Sequence, residues 1–205
     1  MSLVPMTMQS MTPMMAMAAS LGGAALVGAT GKSPALRDGC AIAVAAVQLA
    51  CVLLMLPPVL AGETLSYTLL DFVPSVAIAF KVDALGLLFA LTASALWLVT
   101  TVYSIGWLRA LRSHAQTRFH LCFALTMTAT LGVAFASNLM TLYLFYEAMT
   151  LATYFLVTHD QTEEAYAGGR KYLSYHLGTS IAFLLPAIIL TFVVSGSFDF
   201  QSGGV

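Results

Sequence analysis

Apolar residues fill the chain in long blocks, and charged residues break those blocks so rarely that the breaks themselves mark the elements. A helix crosses a hydrocarbon core with about 20 mostly apolar residues, so uncharged runs near that length predict membrane spans. The first span falls at about residues 11–30 and the second at about 40–56, stopped by Pro57 and Pro58, which a helix interior does not tolerate. The third covers about 84–108, between Asp83 and Arg109. From Leu121 to Thr158 the only charge is Glu147, over a length too great for one span and sufficient for two. Ser137 and Asn138 supply a turn there, giving a fourth helix at about 119–136 and a fifth at about 139–157. A sixth runs over about 170–194, followed by a polar, Gly-rich tail. Residues 61–82 leave room for a short ordered excursion outside the bilayer. The pattern predicts an all-α membrane protein of six transmembrane helices.

Composition agrees. The chain is 60% hydrophobic and only 8% charged, with a mean hydropathy of +0.89, whereas a soluble domain carries about a quarter charged residues. Such a chain belongs in a lipid bilayer, and nothing in it offers the basic stripe that nucleic acid requires. The first basic residue, Lys32, follows the first apolar run, so that run lacks the leading positive region of a signal peptide and reads as a mature helix. Cys40, Cys51 and Cys122 have no CxxC or Cys/His spacing and read as small apolar fillers; no metal site and no cofactor is expected.

Loop charge then orients the spans, because basic loops stay on the cytoplasmic side. Lys32 and Arg37, then Arg109, Arg112 and Arg118, then Arg170 and Lys171 all fall in loops or boundaries on one side of a six-helix arrangement, and the other side holds only Lys81. The expectation is a protein with both termini on the non-cytoplasmic side.

Few positions compete as chemistry. The stretch GATGKS, residues 28–33, lacks the first glycine of a phosphate-binding loop, where Leu26 stands, and no strand is expected before it; Lys32 reads as an interfacial anchor. Asp83, just ahead of the third helix, is placed to cap its free N–H groups. His114 and His120 read as solvated residues of the basic loop, and His159, Asp160, Glu163 and Glu164 as a polar turn.

Glu147 stands apart. In LYLFYEAMTLATYF, residues 142–155, it lies about 10 residues from the cytoplasmic end of the fifth helix, about 15 Å deep at 1.5 Å per residue. A charge at that depth costs on the order of 2.5–3.5 kcal/mol even on lenient insertion scales, which points to a proton relay or ion pathway. The alternative is a protonated acid that only bonds a neighbouring helix. Tyr143, Thr150 and Tyr154 share its helical face and suit either role. His176, in the sixth helix, would lie at a similar depth and is a candidate second carrier. Lys171, at the expected start of that helix, either reaches toward the pathway or snorkels to the interface.

Three stretches carry a family resemblance: FKVDALGLLFALTASALWLVTTVYS (80–104), SNLMTLYLFYEAMTLATYFLVTH (137–159) and AGGRKYLSYHLGTSIAFLLPA (167–187). Together they resemble the antiporter-like subunits of respiratory complex I, Mrp-type multisubunit cation/proton antiporters and membrane-bound hydrogenases. The Tyr-Glu-x-Met-Thr-Leu form, with the later Ala-Gly-x-Arg-Lys-Tyr, looks nearest to the D-type Mrp and hydrogenase-associated branch. The resemblance implies that residues 1–110 are three N-terminal helices and that 111–205 begin the proton-translocating domain. It matches Glu147 to the family's glutamate of the fifth helix, whose partner is a lysine on a seventh helix beyond this sequence. It therefore implies a truncated or split subunit; the competing reading is a scaffold that docks partner subunits, with Glu147 protonated and only hydrogen-bonded. A partner chain would supply the missing helices and their lysine. The transported ions would be protons and possibly Na+, in a bacterial inner membrane. With no Cys cluster, flavin or haem signature, redox chemistry is expected in partner subunits.

Overall fold

The computed structural model describes residues 7–73 and 76–200; the first six residues, the centre of the 61–82 excursion and the end of the polar tail lie outside the described residues. Helix α1 spans Thr12–Ala29, α2 Pro34–Leu53 and the short α3 Leu56–Leu60. Strands β1 (Thr7–Gln9), β2 (Thr64–Val73) and β3 (Val76–Val82) form one small sheet, and α4 spans Ala84–Ala110. Then come α5 (Gln116–Ala134), α6 (Leu139–Val157) and α7 (Glu163–Thr179), which continues through a π turn at Ser180–Leu184 into α8 (Leu185–Ser195).

The protein is an integral membrane protein in which all six expected helices occur. Five helical stretches are long and apolar enough to cross a membrane: Thr12–Ala29, Pro34–Leu60, Ala84–Ala110, Leu139–Val157 and Glu163–Ser195. Helix α5 is less apolar because Gln116, Arg118, His120 and four threonines lie along it, and it sits between α1, α4 and α6. Two boundaries in the N-terminal part differ from expectation. Helix α2 starts six residues early and includes Arg37 and Asp38, which neutralise each other in an ion pair. Pro57 and Pro58 occupy the first turn of α3, where a missing N–H costs nothing, so they begin a helix rather than end one.

The excursion is a β-hairpin. Strands β2 and β3 pair antiparallel, with Leu65 opposite Val82 and Tyr67 opposite Phe80, and β1 adds in parallel to β2. Leu65, Phe80 and Val82 are buried against Met17, Met55, Leu87, Leu131 and Phe135, so the hairpin closes one end of the bundle. A second core deeper in the bundle joins Ala24, Val44, Ala45, Trp97, Ala124 and Met127. Gly86 makes the hairpin end fit: a Cβ there would sit 2.6 Å from the Ala134 carbonyl oxygen. Asp83 caps α4 as expected, its Oδ1 accepting from Gly86 N–H at 2.7 Å.

Candidate functional site

The depth and rotation of α6 are fixed at its start. Asn138 Oδ1 accepts from Thr141 N–H at 2.7 Å, while its Nδ2 donates to the Ala77 carbonyl at 2.9 Å. Thr141 Oγ1 accepts from Ala79 N–H at 3.1 Å and donates to the Ala77 carbonyl at 3.2 Å. Strand β3 thus holds the first turn of α6, and Glu147 follows two turns later.

Helix α7 brings its partner. Thr162 caps it, accepting from Ala165 N–H at 3.1 Å, and Glu163 and Glu164 in the first turn suit the positive helix end. The expected sixth helix therefore begins at Glu163, seven residues before Arg170, and Lys171 lies two turns inside it, exposed. Gly169 lets α7 approach α6, since a Cβ would come 2.3 Å from Thr158 Cγ2. Farther along, Pro186 has no N–H, and its ring would meet the carbonyl one turn back; the widened turn at Ser180–Leu184 absorbs that conflict.

Ser180, the first residue of the π turn, donates its hydroxyl to Glu147 Oε1 in a short hydrogen bond. Ser180 is 3% exposed, and Glu147 Oε2 is buried without a partner among the described residues. The Ser180 hydroxyl also has the Leu177 carbonyl within 3.2 Å. An open groove of about 370 Å³, lined by Tyr146, Thr179, Ser180, Phe183 and Leu184, lies beside the pair. Two turns away, Thr153 Oγ1 and Tyr172 Oη are 2.5 Å apart. Thr153 also donates to the Met149 carbonyl at 2.8 Å, which leaves Tyr172 as the donor to Thr153.

These two cross-helix bonds set an antiparallel register that places His176 at the level of Thr150, about 4.5 Å along the axis from Glu147. The His176 ring lies over Tyr172, centroids 4.3 Å apart. Tyr172, His176 and Ser180 recur every four residues and share one face. The structure thus gathers Glu147 and His176 into one α6–α7 seam and leaves Lys171 at its exposed side. Sequence reasoning missed Ser180, Thr153 and Tyr172; the four-residue repeat through His176 was the available signal. Thr150, expected on the face of Glu147, instead donates to the Tyr146 carbonyl of its own helix at 3.1 Å.

Two expectations at the basic end are corrected. His120, read as solvated, is 3% exposed inside the bundle. His159 is 9% exposed: its ring stacks on His114 at 5.4 Å, and its carbonyl accepts from Arg118 at 2.5 Å. Burial, with Arg118 and His114 nearby, holds the His159 imidazole below the usual histidine range.

Residues 136–203, which include Glu147, His176 and Ser180, match the family described as NADH:quinone oxidoreductase/Mrp antiporter, transmembrane. Over these residues the chain resembles that antiporter family. A similar curated relative is the A1 subunit of the Na+/H+ antiporter of Staphylococcus aureus, strain bovine RF122 / ET3-1, 31% identical over 73% of this chain. The chain spans only 18% of that relative's length. Among solved structures, its fold resembles a chain of the Mrp complex from Dietzia sp. DQ12-45-1b with a TM-score of 0.77 and 22% identity, covering 92% of this chain and 35% of that one. It also resembles a chain of the membrane-bound sulfane sulfur reductase, an archaeal respiratory membrane complex. The TM-score there is 0.72 at 21% identity, covering 91% of this chain and 28% of the other. The Staphylococcus relative is of the A type by name, whereas the motifs look nearer to the D-type branch.

Proposed function

We propose that these residues form part of a proton- or cation/proton-translocating membrane subunit in which Glu147 is the relay acid. The observation that carries this reading is the hydroxyl opposite it. When Glu147 is ionised, Ser180 donates to Oε1. When it is protonated, its O–H donates to Ser180 Oγ, and the serine proton turns to the Leu177 carbonyl, 3.2 Å away. One hydroxyl satisfies both states, so the acid can gain and lose a proton without leaving a new buried donor unpaired.

His176, one turn away along the seam, is the proposed next carrier, with waters completing the chain. Lys171 supplies positive charge at its mouth. Among the described residues no ion pair reaches Glu147, so its basic partner belongs to another membrane segment, alongside other subunits of a multisubunit assembly. Only 11% of the residues in an apolar 18-residue stretch of the helix Glu163–Ser195 are buried, which suits a position against such a segment or lipid. Protons, and Na+ in an antiporter setting, are the proposed ions, and a bacterial cytoplasmic membrane with both termini outside is the proposed location. The Glu147–Ser180 bond also favours a second reading, a scaffold in which the acid only ties two helices.

Purifying the assembly that contains the chain, reconstituting it in liposomes and comparing wild type with Glu147→Gln separates the two. The relay predicts proton flux lower by about 100-fold or more; flux equal to wild type establishes the scaffold.

A further inference from the structure

At the basic end of the bundle, away from the Glu147 seam, two residues that each carry a buried, unpartnered polar atom line one small cavity. His120 is 3% and Thr101 1% exposed; among the described residues, His120 Nε2 and Thr101 Oγ1 have no hydrogen-bond partner. Both residues line a cavity between α1, α2, α4 and α5 whose other walls include Val27, Val44, Trp97 and Phe123. The space open to the centre of a water molecule is about 10 Å³, enough for about one molecule. A buried donor or acceptor left unpaired costs about 1–3 kcal/mol, and here two would go unpaired together.

The surroundings say what fills the space. The residues one turn nearer the helix ends form a closed polar cluster. Arg37 Nε donates to Asp38 Oδ1 at 2.8 Å, Arg37 donates to Gln116 Oε1 at 2.8 Å, and Arg109 donates to Asp38 Oδ2. Gln116 precedes His120 by one turn of α5, and Asp38 precedes Ala41, another wall residue, by nearly one turn of α2. No side chain of that cluster reaches His120 Nε2 or Thr101 Oγ1 among the described residues. The apolar walls offer no other partner, and the cavity is too small for any ion with its shell.

We propose that this cavity is a binding site for a single structural water, bridging His120 Nε2 and Thr101 Oγ1. A neutral imidazole nitrogen and a hydroxyl each present either a donor or an acceptor, and water supplies whichever is needed. The site ties α4 to α5 and puts a hydrated, titratable group in the bundle that shares no residue with the α6–α7 seam.

X-ray hydroxyl-radical labelling of the full chain in its assembly tests this, because a bound water generates radicals in place. Trp97, 4% exposed, and Phe123 are the reporters. The expected result is oxidation of Trp97 well above what its exposure allows, with a drop of about threefold or more in Thr101→Val and retention in Thr101→Ser, which keeps the hydroxyl. Absence of Trp97 oxidation in the wild type overturns the proposal, and so does labelling in Thr101→Val equal to wild type. If the valine variant fails to assemble, the wild-type result and the serine variant decide by the same criteria.

Discussion

Ser180 donates its hydroxyl to Glu147 Oε1 from the first residue of a π turn, and this is the one direct side-chain bond to the intramembrane acid among the described residues. It joins two helices at the point where α7 is widened ahead of Pro186. Removing the hydroxyl leaves Glu147 Oε1 without its donor, beside an Oε2 that is already buried and unpartnered among the described residues. Ser180→Ala is therefore expected to destabilise the chain by about 1–3 kcal/mol. A double-mutant cycle of thermal melts with Glu147→Gln should give a coupling of about 0.5–3 kcal/mol between the two positions. Strict additivity would show that the bond carries no energy.

The hairpin end rests on a close backbone approach. Gly86→Ala drives a methyl to within 2.6 Å of the Ala134 carbonyl oxygen, and backbone cannot rotate away, so a loss of about 1–3 kcal/mol is expected. Gly106 in the same helix has open space around its missing Cβ, and Gly106→Ala should be stabilising by about 0.5–1 kcal/mol. Opposite shifts in the two melting temperatures check the contrast; equal shifts would refute the packing argument.

Asp38 neutralises two arginines, one buried with it and one half exposed, their side chains 6% and 55% accessible. Asp38→Ala leaves the Arg37 charge buried and unpaired, at an expected cost of about 3–5 kcal/mol. Arg109→Gln removes only the exposed partner, and about 1 kcal/mol or less is expected. Chemical denaturation of the two variants in detergent would show whether their ranking follows burial.

His159 makes the basic end sensitive to acid. Burial, Arg118 and His114 hold its folded pKa below the ordinary value. The folded state therefore binds fewer protons than the unfolded one near this site. The stability it contributes is fully present above the unfolded pKa of about 6.5 and is lost as pH falls through the lower folded value. The wild type should melt at a lower temperature at pH about 5.5 than at about 8, and His159→Gln should show a smaller drop. An unchanged pH dependence in the variant would remove His159 from the account.

Much of this was legible in the chain. The span at Leu139–Val157 could be read to the residue because Asn138 marks its start and only Glu147 interrupts it. The fold class and the antiporter-like resemblance could be read for the same reason: long apolar runs leave few arrangements. Where charge and apolarity mix, the reading slipped. Glu163, Arg170 and Lys171 made the first two turns of α7 look like loop, although a helix needs no apolar residues outside the bilayer. Arg37 looked like a loop charge because its pairing with Asp38 within α2, with help from Gln116 far along the chain, leaves no local trace. Ser180 was marked only by its four-residue spacing from His176 and Tyr172, and that spacing does not say whether a serine in a membrane helix bonds its own backbone or a distant acid. The hairpin was visible only as a segment long enough for a short ordered excursion outside the bilayer.

The central claim is that Glu147 takes up and releases a proton during transport, and infrared difference spectroscopy of the working assembly tests it most directly. Spectra recorded with and without an imposed ion gradient should contain a protonated-carboxyl carbonyl band that changes in the wild type and is absent in Glu147→Gln. A band that persists unchanged in the glutamine variant, or turnover in the wild type with no carboxyl signal, would contradict the account.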